Sequence, residues 1–294
     1  MEELLERGPG ARLALPGAED FPPALADIPD PPARLYWIGA VWPPPCRAVA
    51  VVGARGASRY GLEVAAALAA DLARAGVCVV SGMARGVDAA AHRAALASGG
   101  TTVAVLAASA ESAYPPDMTA LHADILAGGA ACAEYPVGTA LRRGLFVRRN
   151  RLVSGLSLGV VVVEAGPAGG ALSTARAARR QGRFVAAVPG DVTRENSLGT
   201  LALLREGAVP VGHAGHVLAL VAGAGGGAAA AGQGSGADEV LRGLQEGVLT
   251  CDGVAARLGW SAARAAAALA ALEMAGAVRR LPGGFYAPCG SAGW

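Results

Sequence analysis

The sequence contains no lysine, so all 25 of its basic residues are arginine. A Walker-type phosphate-binding loop needs a lysine that reaches the β- and γ-phosphates of a nucleotide. Schiff-base catalysis needs a lysine amine that attacks a carbonyl group. The absence of lysine therefore excludes both kinds of site.

The sequence has little cysteine and histidine, and neither residue clusters. The five cysteines are odd in number, and none of them forms a C-x-x-C pair. This pattern argues against a disulfide framework and against a zinc site. The four histidines do not add metal-ligand spacing to them. We therefore expect no metal site, no cofactor and a cytoplasmic location.

Long apolar runs are also missing, although 53% of the residues are hydrophobic. No uninterrupted run approaches the roughly 18 residues that span a bilayer. Met1 is followed by the acidic segment EELLE, which does not resemble a secretory signal. We expect a soluble protein with no membrane insertion. The net charge of +2 is too small to identify a polyanionic partner.

From about Arg47, short apolar runs alternate with alanine-rich stretches. The apolar runs are continuous, which is typical of strands buried on both faces. They are RAVAVVG, VCVVSG, TTVAVLA, ACAEY, LGVVVVEA and RFVAAVPG. The stretches between them have the lengths of crossover helices. The predicted fold class is α/β, with a doubly wound, mostly parallel, Rossmann-like sheet.

Composition divides the rest of the chain. Residues 1–44 form a proline-rich lead that we expect to pack on the core, and its prolines disfavour regular helix or a central strand. Residues 45–221 form the Rossmann-like domain, and residues 222–237 have the composition of a flexible linker. A second domain is predicted over residues 238–290.

The second domain has the pattern of a winged helix. Two helices separated at Leu258–Trp260 precede two strands joined by a Pro-Gly-Gly turn, and Ser261 can cap the second helix. That helix carries only Arg264 and Glu273 as charged groups, with no asparagine, glutamine or lysine to contact base edges. DNA binding and a role in protein interaction or dimerisation therefore both stay open.

Ligands bind at the carboxyl ends of the strands in open parallel sheets, so the loops there are the candidate sites. The first loop, VVGARGASRYG, lacks the G-x-G-x-x-G spacing, and the second strand ends in Ser81 rather than in an acid. A nicotinamide cofactor is therefore not expected. Gly53, Arg55 and a helix-capping Ser58 can form an anion site, although a glycine turn with a solvated arginine is the simpler alternative.

The second loop, SGMARGVDAAAH, repeats this design with Ser81, Gly82 and Gly86 before a helix. Asp88 lies in the first turn of that helix, where the helix dipole favours a carboxylate. His92 follows at i+4 and can contact it. No nucleophile other than Ser81 accompanies the pair, so we predict that it braces the loop and does not catalyse a reaction.

The third candidate is a basic segment, LRRGLFVRRNRLVSGLS. Five arginines fall within ten residues, namely Arg142, Arg143, Arg148, Arg149 and Arg151. A solvated basic face is the usual explanation of such a run. Phe146, however, stands between the two arginine pairs. Cations for phosphates and a flat ring for an unstacked base are what single-stranded nucleic acid needs, and we therefore favour nucleic-acid binding.

The fourth loop follows a strand that ends in Glu164. Gly169, Gly170, Ser173 and Thr174 precede the next helix and offer backbone and hydroxyl donors to a phosphate. Glu164 is interpreted as a loop-bracing acid that pairs with an arginine of the Arg149–Arg151 group.

These segments together resemble the DprA/Smf family of DNA-processing proteins. The matching motifs include AVVGARGASRYG, VVSGMARGVDAAAHRAAL, AEYPVG, FVRRNRLVSGLS and GGALSTARAA. The resemblance implies a Rossmann-like core that binds single-stranded DNA, often as a homodimer, and loads the RecA recombinase during natural transformation, without catalysis. It also implies that Arg55, Arg143 and Phe146 line the DNA-binding pocket.

The predicted nucleic-acid-binding residues are Gly53, Arg55, Ser58, Ser81, Gly82, Gly86, Arg143, Phe146, Arg148, Arg149, Asn150, Arg151, Gly169, Ser173 and Thr174. The sequence departs from the family at Gly199–Thr200–Leu201, where the family's asparagine is lost. Two alternatives remain: a Rossmann-like nucleotide phosphoribohydrolase that uses Glu164, and a transcription regulator that uses the winged helix.

Overall fold

The computed structural model describes residues 10–44, 47–225, 240–241, 243–244, 249–274 and 277–288. The chain divides into two compact units, Met1–Gly226 and Gly227–Trp294. Among the described residues, no helix has both the length and the apolar character that crossing a bilayer requires.

The first unit is built on one large sheet. Its strands are β1 Arg12–Ala14, β2 Leu35–Gly39, β3 Ala48–Val52, β4 Cys78–Ser81, β5 Thr102–Leu106, β6 Ala130–Ala133, β7 Gly159–Val162, β8 Phe184–Ala187 and β9 Val209–Pro210. They lie in the order β1-β2-β6-β5-β4-β3-β7-β8-β9. In this order, each neighbouring pair from β6 through β5, β4, β3, β7 and β8 to β9 is parallel. The pairs β1–β2 and β2–β6 are antiparallel.

Helices lie between the strands, and all of the following except the first and the last connect two parallel strands, as the alternating pattern predicts. They are α1 Pro23–Ala26, α2 Arg59–Arg74, α3 Val87–Ala97, α4 Thr119–Gly128, α5 Arg143–Gly155, α6 Gly170–Arg180, α7 Glu195–Arg205 and α8 Ala214–Gly225. Pro116–Met118 forms a short 3₁₀ turn before α4. This arrangement confirms the predicted α/β class and its mostly parallel, Rossmann-like sheet.

Successive residues of the central strand β3 enter two different apolar clusters. Ala48, Ala50 and Val52 pack with residues of α5 and α6 on one face of the sheet. Val49 and Val51 pack with α2, α3 and α8 on the other. All five side chains are buried, which explains why the strand reads as a continuous apolar run rather than an alternating one.

The proline-rich lead contributes more regular structure than its composition predicts. Leu35–Gly39 forms β2, which lies between β1 and β6 and is therefore not at the edge of the sheet. The expectation that prolines keep the lead out of central strands is wrong for this segment. Prolines flank these five residues but none lies among them, so every backbone amide is available for pairing.

The end of the first unit also differs from the prediction. Helix α8 continues to Gly225, so residues 222–225 are helical rather than part of the predicted linker. Val217 and Val221 of α8 are buried in the core, and this packing supports the helix even though glycine alternates with alanine in its last turn. The rest of the predicted linker, residues 226–237, lies outside the described residues.

The second unit has its own small core and antiparallel sheet. Its elements are β10 Leu249–Thr250, α9 Cys251–Leu258, α10 Ala262–Met274, β11 Val278–Arg280 and β12 Phe285–Pro288, with the strand order β10-β12-β11. Thr250 caps α9, and Gly259 ends it in the left-handed conformation (φ 65°). Two helices followed by a β-hairpin confirm the winged-helix pattern.

Candidate nucleic-acid interface

A cleft of about 450 Å³ opens at the carboxyl ends of the central strands. The loops after β3, β4 and β7 and one face of α5 line it. The lining residues that carry functional groups or allow close approach are Gly53, Arg55, Gly82, Asp88, Phe146, Arg149, Asn150, Gly169, Thr174 and Asn196. This is the position where open parallel sheets bind ligands.

Glu164 holds the β3 loop in place. Its carboxylate accepts hydrogen bonds from the backbone amide of Ser58 (2.8 Å) and from the Ser58 hydroxyl (2.5 Å), which itself caps α2 by accepting from the Gly61 amide. A Cβ on Gly61 would lie 2.5 Å from that carboxylate, so a larger residue there would displace it. The predicted pairing of Glu164 with the Arg149–Arg151 group is therefore wrong. Those side chains take other partners, and Glu164 braces the loop through Ser58.

Asp88 holds the β4 loop in a similar way. Its Oδ2 accepts hydrogen bonds from the backbone amides of Gly82 (3.1 Å) and Ala84 (3.4 Å). Burial raises the pKa of Asp88, while the charge of Arg149 and these amides act in the opposite direction. The carboxylate lines the cleft from beneath, where it orders the loop.

The expected Asp88–His92 contact does not form. Thr102 Oγ1 donates its only proton to the Val79 carbonyl (2.6 Å), so it accepts from His92 Nδ1 (2.7 Å). Within the described part of the chain, His92 Nε2 finds no hydrogen-bonding partner. Burial lowers the pKa of His92 to about 3, with the charges of Arg149 and Arg93 contributing. His92 is therefore a neutral core residue that ties α3 to the sheet.

Arg149 places a buried cation beneath the cleft. Its guanidinium donates hydrogen bonds to the carbonyls of Gly82 (2.7 Å) and Val105, and the residue is only 7% exposed. Burial lowers its pKa, whereas the carboxylate of Asp88 raises it. A Cβ on Gly82 would lie 2.5 Å from the guanidinium nitrogens. The glycine therefore allows the loop to lie directly on the arginine.

Phe146 stands at the mouth of the cleft between a cation and a second ring. The Arg55 guanidinium lies over Phe146, 5.3 Å from the ring centroid, and this is cation–π geometry. The Tyr114 ring contacts Phe146 at a centroid distance of 5.5 Å and an interplanar angle of 51°. Arg55 and Tyr114 are exposed, so solvent reaches this group of side chains.

The structure brings eight of the predicted residues to the cleft lining. They are Gly53, Arg55, Gly82, Phe146, Arg149, Asn150, Gly169 and Thr174. The others are Ser58, Ser81, Gly86, Arg143, Arg148, Arg151 and Ser173, which lie outside this lining. Arg143 and Arg148 are exposed on α5, and the Arg148 guanidinium contacts Glu134 (3.4 Å).

Three predicted contacts are used inside the protein instead. The buried Ser81 hydroxyl donates to the Val51 carbonyl of the neighbouring strand (2.7 Å). The Ser58 hydroxyl is held by Glu164, as described above. Arg151 is 8% exposed, and its guanidinium donates to Asp30 (2.8 Å) and Glu134 (2.7 Å). Their assignment to the nucleic-acid surface is therefore corrected, because Ser81 and Arg151 are buried and the Ser58 hydroxyl is already held by Glu164.

Two residues of this region were not predicted from the sequence. Asn196 lines the cleft and donates from its side-chain amide to the Gly56 carbonyl (2.8 Å), which joins the first loop to α7. Tyr114, in the loop after β5, contacts Phe146 of α5, which follows β6. The sequence signal for Tyr114 is the Tyr114–Pro115 pair, which is one of the segments in which the chain resembles the DprA/Smf family.

Glu164, the acid that the phosphoribohydrolase alternative uses, does not line the cleft. It lines a separate depression with Tyr60 and Arg194. In the described part of the chain, no group of three or more histidine, cysteine, aspartate or glutamate side chains is arranged to hold a metal ion.

Comparisons with known families match both units of the chain. Residues 12–222 match the model described as DNA recombination-mediator protein A. Residues 227–284 match the DprA winged helix domain.

Individual relatives carry the same names. A DNA processing protein DprA of Mycobacterium tuberculosis is 45% identical over 239 residues, which cover 78% of this chain and 61% of the relative. The chain thus spans about three fifths of that relative's length. Protein Smf of Escherichia coli is 34% identical over 289 residues, covering 94% of this chain and 77% of that protein.

Two solved structures share the fold. DNA processing protein A of Streptococcus pneumoniae has a TM-score of 0.68 at 33% identity, covering 74% of this chain and 77% of its own. The Helicobacter pylori protein has a TM-score of 0.62 at 29% identity, covering 70% and 94%. The latter structure was described for a single-stranded DNA binding mode.

Proposed function

The chain belongs to the DprA/Smf family of DNA-processing proteins, and on that premise we propose that it binds single-stranded DNA in the cleft at the carboxyl ends of β3, β4 and β7. Arginines neutralise the phosphates, and Phe146 stacks on one unpaired base. The single-stranded DNA binding described for the Helicobacter pylori relative supports this proposal.

One observation carries the proposal, namely the Arg55 guanidinium over the Phe146 ring at the mouth of the cleft. The pair offers a positive charge for a phosphate and a flat apolar face for a base within a few ångströms of each other. Both features are required for binding single strands without sequence preference. A base paired in a duplex has its faces covered by its neighbours, so this arrangement favours single strands over duplex.

The backbone around the cleft suits a phosphate. Helix α6 begins at Gly170 without a side-chain cap, and Gly169 and Gly170 both line the cleft. Free amides at a helix N-terminus favour an anion. The buried charge of Arg149 beneath the cleft adds to the positive potential there.

The partners follow from family membership and are part of the proposal. We propose that the chain acts as a homodimer in the cytoplasm and loads the RecA recombinase onto bound strands during natural transformation. An increase in RecA-dependent ATP hydrolysis on single-stranded DNA when the chain is added would test the loading step. Equal hydrolysis with and without the chain would contradict it.

Binding of a fluorescent oligothymidylate tests the DNA-binding step. Phe146→Ala should weaken binding about 5- to 150-fold, because stacking of one base is worth about 1–3 kcal/mol. Arg55→Ala and Arg143→Ala should each weaken it and reduce its salt dependence. Arg180→Ala is the matched control, because this arginine lies in the last turn of α6, away from the cleft.

The same titrations with duplex DNA distinguish the alternative of a winged-helix regulator. Tighter binding to duplex that is unaffected by Phe146→Ala would favour that alternative. Single-strand affinity that is unchanged in all three cleft variants would overturn the proposal.

A further inference from the structure

Phe146 separates the cleft from two further cavities on its Tyr114 side. The first, which we call the tyrosine pocket, has a volume of about 250 Å³. The second, the arginine passage, has a volume of about 280 Å³. Gly82, Phe146 and Arg149 line the cleft and both of these cavities, so the three spaces are adjacent.

The tyrosine pocket has the chemistry of a nucleobase site. Leu106 and Leu141 give it apolar walls, and Tyr114 supplies an aromatic ring. Polar groups come from the side chains of Ser109, Ser112 and Thr139. A base presents two flat apolar faces and a polar edge. The apolar walls and the ring match its faces, and the polar side chains match its edge.

The exposure of the pocket's apolar groups indicates that a ligand covers them. Tyr114 is 44% exposed and Leu141 is 37% exposed, although both side chains are large and apolar. They lie next to each other around one cavity rather than singly over the surface. Clustered exposed apolar groups of this kind mark binding sites.

The arginine passage has the charge to bind a phosphate that lies between two bases. Arg55, Arg85 and Arg149 line it together with the small residues Gly56 and Ala84, and no acidic residue is part of its lining. Arg85 is held in position by two hydrogen bonds to Asp117, each 3.0 Å long. Its guanidinium is therefore fixed beside Tyr114 while it remains 60% exposed.

We infer that the tyrosine pocket is a second base-binding site, in which Tyr114 stacks on a nucleobase of the strand whose neighbouring base lies on Phe146. The inference rests on the proposed function. The two rings already contact each other at 5.5 Å, so a base does not insert between them. Each ring offers its outer surface instead, and the backbone between the two bases passes Arg55 and Arg85.

Binding of oligothymidylates to the full chain tests this site. Tyr114→Ala should weaken binding about 5- to 150-fold, and Tyr114→Phe should restore affinity to within about twofold of the original chain. Tyr60→Ala is the matched control. Tyr60 is similarly exposed, at 50%, but lines neither the cleft nor the tyrosine pocket. We expect the affinity of the Tyr60→Ala variant to stay within about twofold of that of the original chain.

A single abasic nucleoside moved along a short oligothymidylate separates stacking from a supporting role. The original chain should lose affinity at two positions of the abasic nucleoside. Tyr114→Ala should abolish the loss at one position, and Phe146→Ala at the other. If Tyr114 only supports Phe146, both variants abolish the loss at the same position, and the inference is overturned.

The outcomes also separate this inference from the proposed function. If Phe146→Ala weakens binding and Tyr114→Ala does not, the second site is overturned while single-strand binding stands. If the original chain binds no oligothymidylate, the proposed function has failed and the second site with it. Circular dichroism of each variant checks that the fold is retained.

Discussion

Two pairs of arginines on helix α5 differ in burial. Arg143 and Arg148 are exposed, whereas Arg149 and Arg151 are 7% and 8% exposed. The buried arginines have specific partners: Arg149 donates to two backbone carbonyls, and Arg151 bridges two carboxylates. A run of basic residues in a sequence can therefore contain two functions, fold stabilisation and ligand attraction.

The difference arises from the cost of burying a charge. A guanidinium that leaves water must regain hydrogen bonds and a compensating charge, or the fold is destabilised. Such a group cannot rearrange to follow a flexible ligand. An exposed arginine keeps its solvation, contributes little to stability and can approach a phosphate. We therefore expect substitution of a buried arginine mainly to lower stability, and substitution of an exposed arginine mainly to weaken DNA binding.

Arg149→Ala should produce the largest loss of stability. The substitution leaves the carbonyls of Gly82 and Val105 without this donor and removes the positive charge near the buried carboxylate of Asp88. Breaking a buried charge network typically costs about 3–5 kcal/mol. The free energy of unfolding, measured by urea denaturation, should fall by that amount.

Arg143→Ala is the control for this comparison, because it removes the same charge from an exposed position of the same helix. Its free energy of unfolding should change by less than about 0.5 kcal/mol. Equal losses in the two variants would show that burial does not decide how much an arginine of α5 stabilises the fold.

Arg151→Ala should have the next largest effect. Glu134 is 8% exposed and would lose its 2.7 Å partner, and its second carboxylate oxygen accepts no hydrogen bond from the residues that the structure describes. A hydrogen bond to a charged group contributes about 1.5–3 kcal/mol, so we expect a loss of about 2–3 kcal/mol in the free energy of unfolding.

Asp30→Ala removes the second carboxylate partner of Arg151. Its side chain is 69% exposed, so its ion pair with Arg151 is screened by solvent and the loss should stay below about 1 kcal/mol. An Asp30→Ala variant as unstable as Arg151→Ala would show that Arg151 stabilises the fold through Asp30 and not through Glu134.

The pH dependence of stability reports on the interior beside Arg149. Burial and the nearby arginine charges lower the pKa of His92 from 6.5 to about 3. Between these values the unfolded chain binds a proton that the folded chain excludes. The free energy of unfolding should therefore decrease as the pH falls from about 6.5 towards 3, by up to about 1.4 kcal/mol per pH unit from this residue.

His92→Asn removes this titration and leaves the other groups in place. Its urea-denaturation midpoints should depend less steeply on pH than those of the original chain in that interval. Parallel curves for the two proteins would mean that His92 takes up its proton in the folded state as readily as in the unfolded state.

The sequence was sufficient for the features that depend on local patterns. Continuous apolar runs predicted the parallel strands, and Ser58 was identified as a helix cap before Gly61. The interactions that it could not predict join distant segments. Glu164 binds Ser58 across 106 positions, and Arg151 binds Asp30 across 121. Which arginine of α5 faces inward depends on how the helix is rotated against the sheet, and a charge run does not contain that information.

The smallest expected effect is the salt dependence of DNA binding in Arg143→Ala. Each phosphate neutralised on a single strand contributes about −0.7 to the slope of log K against log salt concentration. Removing one exposed arginine should make that slope about 0.7 less steep. Arg148→Ala should change it less, because its guanidinium also contacts Glu134 at 3.4 Å and is partly neutralised already. Equal slopes for Arg143→Ala and the original chain would show that this side of α5 does not meet the phosphates.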